Sequence, residues 1–72
     1  MIKPGIYQHY KKGNKYRVHS VAKHSETLEE FVVYEALYDN PDGKYWVRPL
    51  GMFEEYVMIR GQQIKRFERV SD

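Results

Sequence analysis

Residues Phe31–Tyr38 read FVVYEALY, and their reading decides the fold. Val32, Tyr34, Ala36 and Tyr38 fall on one side of an extended chain, and Phe31, Val33 and Leu37 on the other. β-Branched and aromatic residues at period two predict a strand. Apolar side chains on both faces predict that it is central and covered on both sides. Asp39-Asn40-Pro41-Asp42-Gly43 is turn-forming, and Lys44–Arg48 (KYWVR) is the return strand. Pro49 ends it, because proline has no amide to give to a ladder.

On the N-terminal side, Gly5–Tyr10 and Lys15–Ala22 read as two strands joined by Lys11-Lys12-Gly13-Asn14. A three-residue loop at 12–14 would pair Tyr10 with Tyr16, Gln8 with Val18 and Ile6 with Ser20. Asn14 would then take the left-handed position. In this register Tyr16, Val18, Ser20 and Ala22 share the inner face. Tyr7, His9, Arg17 and His19 lie outside, with lysines at the hairpin tip. Between this hairpin and the central strand, His24–Glu30 (HSETLEE) reads as a loop with at most one helical turn, although Thr27 and Glu30 have capping-box spacing.

Beyond Pro49, PLGMFEE predicts a short helical turn. Tyr56–Arg60 and Gln63–Phe67 are further strands around a tight turn at Gly61-Gln62, and Glu68–Asp72 is expected to fray. The class is therefore mainly β: a small SH3-like antiparallel barrel of five to six strands with one short helical turn. An open α+β roll is the alternative. Closing the sheet would remove exposed edges.

The chain has 72 residues and no cysteine. It is expected to be a single domain, 1–72, with an ordered core of about 4–68. A domain of this size buries only about 60% of its unfolded surface. Eleven aromatic residues (seven Tyr, three Phe, one Trp) are the expected substitute for disulfides, each burying roughly 150–250 Å². No secretory leader or membrane-length apolar run is read, so a cytoplasmic location is expected. The formal net charge is +2 but uneven. Lys3, Lys11, Lys12, Lys15, Arg17 and Lys23 precede any acid, whereas the middle of the chain is acidic.

Three stretches, GIYQHYKKGNKYRV, AKHSETLEEFVVYEALY and WVRPLGMFEE, together spanning roughly residues 5–55, resemble a family of short bacterial proteins catalogued as domain of unknown function 1653. The resemblance implies a bacterial, stand-alone, cytoplasmic domain. It implies no activity and no functional residue.

No phosphate-binding glycine loop, nucleophile elbow or zinc-protease motif is present, and no cofactor or metal site is read. His9 and His19 would be diagonal neighbours with Arg17 between them, a poor metal site. The first candidate site is a ligand-binding groove from His24, Ser25, Glu26 and Thr27 of the HSET loop with Trp46 and Arg48. Its ligand would be a peptide, a protein or a small polar molecule. Against this, Trp46 could be the main core residue and Arg48 could pair with Glu35, while the HSET side chains could simply hold their own loop. The second candidate is weak nucleic-acid binding through Tyr7, His9, Lys11, Lys12, Lys15 and Arg17, which mix cations with flat rings. A third is an enzyme or enzyme-accessory site at the HSET loop around His24 and Glu26.

Overall fold

In the computed structural model, which describes residues 2–72, the chain forms seven strands and one short helix. These are β1 (Gly5–His9), β2 (Lys15–Lys23), β3 (Glu30–Ala36), β4 (Tyr45–Pro49), α1 (Leu50–Phe53), β5 (Tyr56–Ile59), β6 (Gln62–Lys65) and β7 (Phe67–Ser71). Five strands make one antiparallel sheet in the order β4-β3-β2-β1-β7, and β5-β6 make a separate ribbon. The mainly β, antiparallel class with one helical turn is as the sequence predicts. The strands number seven because the C-terminal segment contributes a further one.

The sheet is strongly curled. Laid flat, β4 and β7 would be separated by four strand spacings, roughly 19 Å. Instead the Arg48 guanidinium of β4 sits 5.5 Å from the centre of the Phe67 ring of β7. The two edges thus face each other across a concave surface, although no hydrogen-bonded ladder among the described residues closes the barrel.

Val32, Tyr34 and Ala36 of β3 point to that concave side and are buried. Pro49 ends β4, and α1 follows it directly, turning the chain so that Phe53 drops onto the concave surface. Phe53 is 1% exposed. Its ring stacks on Phe67 at 4.1 Å and meets Tyr7 and Tyr34 edge-on. Packed aromatic rings therefore form the centre of the core. Trp46 is only half-buried at its margin, where Nε1 donates to the Gly43 carbonyl at 3.1 Å.

Four expectations are corrected. First, β3 is flanked by strands on both edges but covered on only one face. Phe31 and Val33 are half-buried on the convex side, where Tyr45 and Val47 of β4 are exposed. Second, the first hairpin pairs Tyr7 with Tyr16 and Gly5 with Val18. His9 N–H donates to the Asn14 carbonyl and Gly13 N–H to the His9 carbonyl, closing a longer loop. Gly13, at φ 73°, takes the left-handed position in place of Asn14. The change of parity turns Tyr7 and His9 inward beside Tyr16, and a bulge at His19 lets Val21 succeed Val18 on the inner face. Third, residues 68–71 form part of β7, which pairs with β1. Fourth, the β5–β6 turn lies at Arg60-Gly61 (φ 51° and 80°), which fits the twist of a two-residue hairpin.

Arg66 fixes the ribbon to the sheet. Its amide donates to the Glu55 carbonyl, its carbonyl accepts from Tyr10 N–H, and its Nε donates to Glu55 Oε1 at 2.8 Å.

Candidate functional site

The curl of the sheet leaves a cleft between the β1–β2 loop and β4. It has two lobes sharing the walls Tyr16, Tyr34 and Arg48. One lobe, about 200 Å³, is flanked by His9, Lys11 and Lys12 and backed by Phe67. The other, about 180 Å³, is flanked by Trp46 and Asn40. No carboxylate among the described residues lines either lobe. A wider hollow of about 590 Å³ lies between the first hairpin and the β5–β6 ribbon, but Lys65 and Glu68 offset each other there.

Arg48 is the central group. The pairing Val32↔Arg48 and Tyr34↔Trp46 places both β4 side chains on the concave face. Glu35 points to the convex side, where His19 Nε2 donates to it at 2.8 Å and Lys44 lies at 3.3 Å. The His19 bond, supported by Lys44 against partial burial, holds the Glu35 carboxyl below its usual range. Glu35 is thus unavailable to Arg48. Among the described residues Arg48, Lys11 and Lys12 take part in no salt bridge. Arg48 is half-buried, and its guanidinium lies over the Phe67 ring.

The phenols add a second polar element. Tyr16 Oη and Tyr38 Oη share a hydrogen bond of 2.8 Å, and Asn40 Nδ2 donates to Tyr38 Oη. Burial, followed by the bond to Tyr38, pushes the Tyr16 phenol far above its usual range, so it stays a neutral hydroxyl. Tyr34 is 6% exposed, yet its hydroxyl has no partner among the described residues. No side-chain polar atom of the described residues is sealed without a partner, so this hydroxyl is reached by solvent, and Tyr34 lines both lobes.

His9 lies at the rim. Its ring packs edge-on against Phe67 at 4.9 Å, and Nδ1 accepts from Lys11 N–H at 3.2 Å. Burial first, then Arg66, Arg48 and Lys11, lower its pKa from the usual 6.5. Below about 6.5 the unfolded chain takes up this proton while the folded chain resists it. Stability is therefore expected to fall as pH drops below that value and to level once the folded pKa is passed. Urea titrations between pH 7.5 and 5 check this, and His9→Gln should remove that part of the slope. An unchanged slope would mean His9 does not resist the proton.

Of the residues singled out in the sequence, the cleft gathers Trp46 and Arg48 from one candidate set and His9, Lys11 and Lys12 from the other. The remainder lie elsewhere. Tyr7 is buried and donates to the Lys3 carbonyl at 2.7 Å. Lys15 and Arg17 alternate to the outer face, so the hairpin does not present one basic aromatic surface. His24, Ser25, Glu26 and Thr27 line no part of the cleft. His24 Nδ1 accepts from Glu26 and Thr27 N–H, and Thr27 Oγ1 accepts from Glu29 N–H. These side chains hold their own loop, whose Leu28 is exposed at φ 65°. The cleft residues not foreseen are Asn14, Tyr16, Tyr34, Asn40 and Phe67. Period-two patterning marks the tyrosines as inward-facing. No local signal brings Phe67 or Asn40 to the same place.

No helix among the described residues is long and apolar enough to cross a membrane. A search of curated proteins gives no match. A crystal structure of a protein of the DUF1653 family from Bordetella bronchiseptica is similar at 34% identity and a TM-score of 0.89, covering 97% of this chain and 88% of that one. The family described as "Protein of unknown function (DUF1653)" matches residues 5–69. The chain belongs to this family.

Proposed function

We propose that the domain is a binding module whose small polar ligand presents an anionic group to Arg48 in the concave cleft. The observation that carries this reading is Arg48 itself. A guanidinium over an aromatic ring, on a half-buried residue and with no salt bridge among the described residues, offers N–H donors whose strongest partner is an anion. Lys11 and Lys12 at the rim add positive potential, and the lack of acids in the lining leaves it uncompensated. The HSET loop is not part of this site. A peptide carboxylate and a phosphorylated small molecule share the required chemistry.

Arg48→Gln tests the reading, with inorganic phosphate as the probe in an NMR titration. In the wild-type protein, shifts should centre on Arg48 and the Lys11-Lys12 amides. The variant should bind about tenfold or more weakly, since hydrogen bonds to charged groups contribute about 1.5–3 kcal/mol. Its folding stability should change by about 1 kcal/mol or less, because the residue is at a cleft wall. Shifts scattered over the other lysines, or a variant that unfolds, would make Arg48 structural and remove the proposal.

A further inference from the structure

The two lobes differ in chemistry, and the difference points to a class of ligand. The lobe beside His9, Lys11 and Lys12 is cationic. The lobe beside Trp46 and Asn40 has flat rings and an amide, with no charge other than Arg48 at its border. Each alone is smaller than the roughly 300–1,000 Å³ typical of small-molecule sites, and only together do they reach that range. A ligand filling both needs an anionic head and a flat, polar-edged ring one short linker apart. We infer that the cleft binds a nucleoside monophosphate, with the phosphate among Arg48, Lys11 and Lys12 and the base in the lobe of Trp46, Tyr34 and Asn40.

Three features support the assignment. A phosphate carries close to two negative charges near neutral pH, which matches a cation cluster better than a single carboxylate does. Tyr34 lines both lobes, and its hydroxyl offers a donor and an acceptor to the sugar or base. Aromatic walls accept any base face by stacking, and an amide reads its edge. The inference rests on the anion reading of the cleft, and it adds a role for the second lobe that inorganic phosphate cannot fill.

Trp46 is the only tryptophan in the chain, so its fluorescence reports on that lobe alone. The wild-type protein is titrated separately with inorganic phosphate, adenosine, AMP and a 5′-phosphorylated oligonucleotide, with NMR in parallel. AMP should bind about tenfold or more tightly than phosphate, the factor that stacking of one base supplies. It should quench Trp46, whereas phosphate should not. The double variant K11Q/K12Q, altered only at exposed positions, should weaken AMP and leave folding unchanged. Tighter binding of the oligonucleotide would identify a strand end as the source of the nucleotide, and equal or weaker binding the free nucleotide. AMP binding no better than phosphate, with silent fluorescence, would overturn the nucleotide assignment and leave the anion site standing. No binding of either would overturn both.

Discussion

Phe53→Ala should remove a large share of the chain's stability and leave the fold marginal near physiological temperature. The ring stacks on Phe67 and meets Tyr7 and Tyr34 edge-on, and almost none of it reaches solvent. Truncating a buried phenylalanine costs about 3–5 kcal/mol, combining lost transfer energy with the cavity left behind. At ~0.05–0.15 kcal/mol per residue, a chain of this length holds only ~4–11 kcal/mol in all. The four-residue helix cannot shift to fill the gap without moving Pro49 and β4. Urea denaturation followed by circular dichroism gives the number. A loss below ~1.5 kcal/mol would mean that the aromatic cluster is not the centre of stability. Phe53→Leu, which keeps most of the volume, should retain the fold.

Gly5→Ala is expected to be nearly as damaging for a different reason. Gly5 has φ +147°, where side chains are rarely accommodated, and an added Cβ would lie 2.7 Å from the Ser71 carbonyl oxygen. It would also lie 2.9 Å from Arg69 Nε, whose guanidinium is engaged with the Pro4 carbonyl. The arginine could swing away, but the carbonyl is backbone of the neighbouring strand. Backbone strain of about 1–3 kcal/mol adds to a comparable overpacking cost, so about 3 kcal/mol is expected. Amide exchange should rise at the β1–β7 pairs before the rest of the sheet. Gly51→Ala is the matched control, with nothing within 4 Å of the added methyl in a helical turn. It should be neutral or gain up to ~1 kcal/mol. Equal effects at the two glycines would show that the close approach of β1 to β7 is not what Gly5 protects.

What the sequence made legible follows from how local each determinant is. The alternation of β3, the turn before β4 and the stop at Pro49 are written in adjacent residues, and all three appear. The helical turn at 50–53 is equally local. The register of the first hairpin is not. It depends on whether His9 or Tyr10 ends the ladder, and that depends on Tyr10 N–H donating to the carbonyl of Arg66, far along the chain. The single-residue bulge at His19 reverses inside and outside within one strand, where simple alternation cannot find it. FERVS has little strand signal of its own and is ordered by its partner β1.

The site divides along the same line. Trp46 and Arg48 were legible as neighbours on one strand face, and their surroundings were not. The cleft exists because β4 and β7 approach across the curl, a long-range consequence of core packing. His24 and Thr27 looked functional because loop-stabilising and ligand-binding side chains are the same residue types. Only the hydrogen-bond partners distinguish the two roles.

The pairing of the first strand with the last sets an order of events during synthesis. Strands β1 to β4 can meet their neighbours as they leave the ribosome, but the outer edge of β1 must wait for residues 67–71. Until then the aromatic floor lacks Phe67 and one sheet edge stands open to other nascent chains. Closing so long a loop costs entropy before it returns any contact, so this docking step should govern the folding rate. The pocket around Arg48 is accordingly the last part of the molecule to take shape.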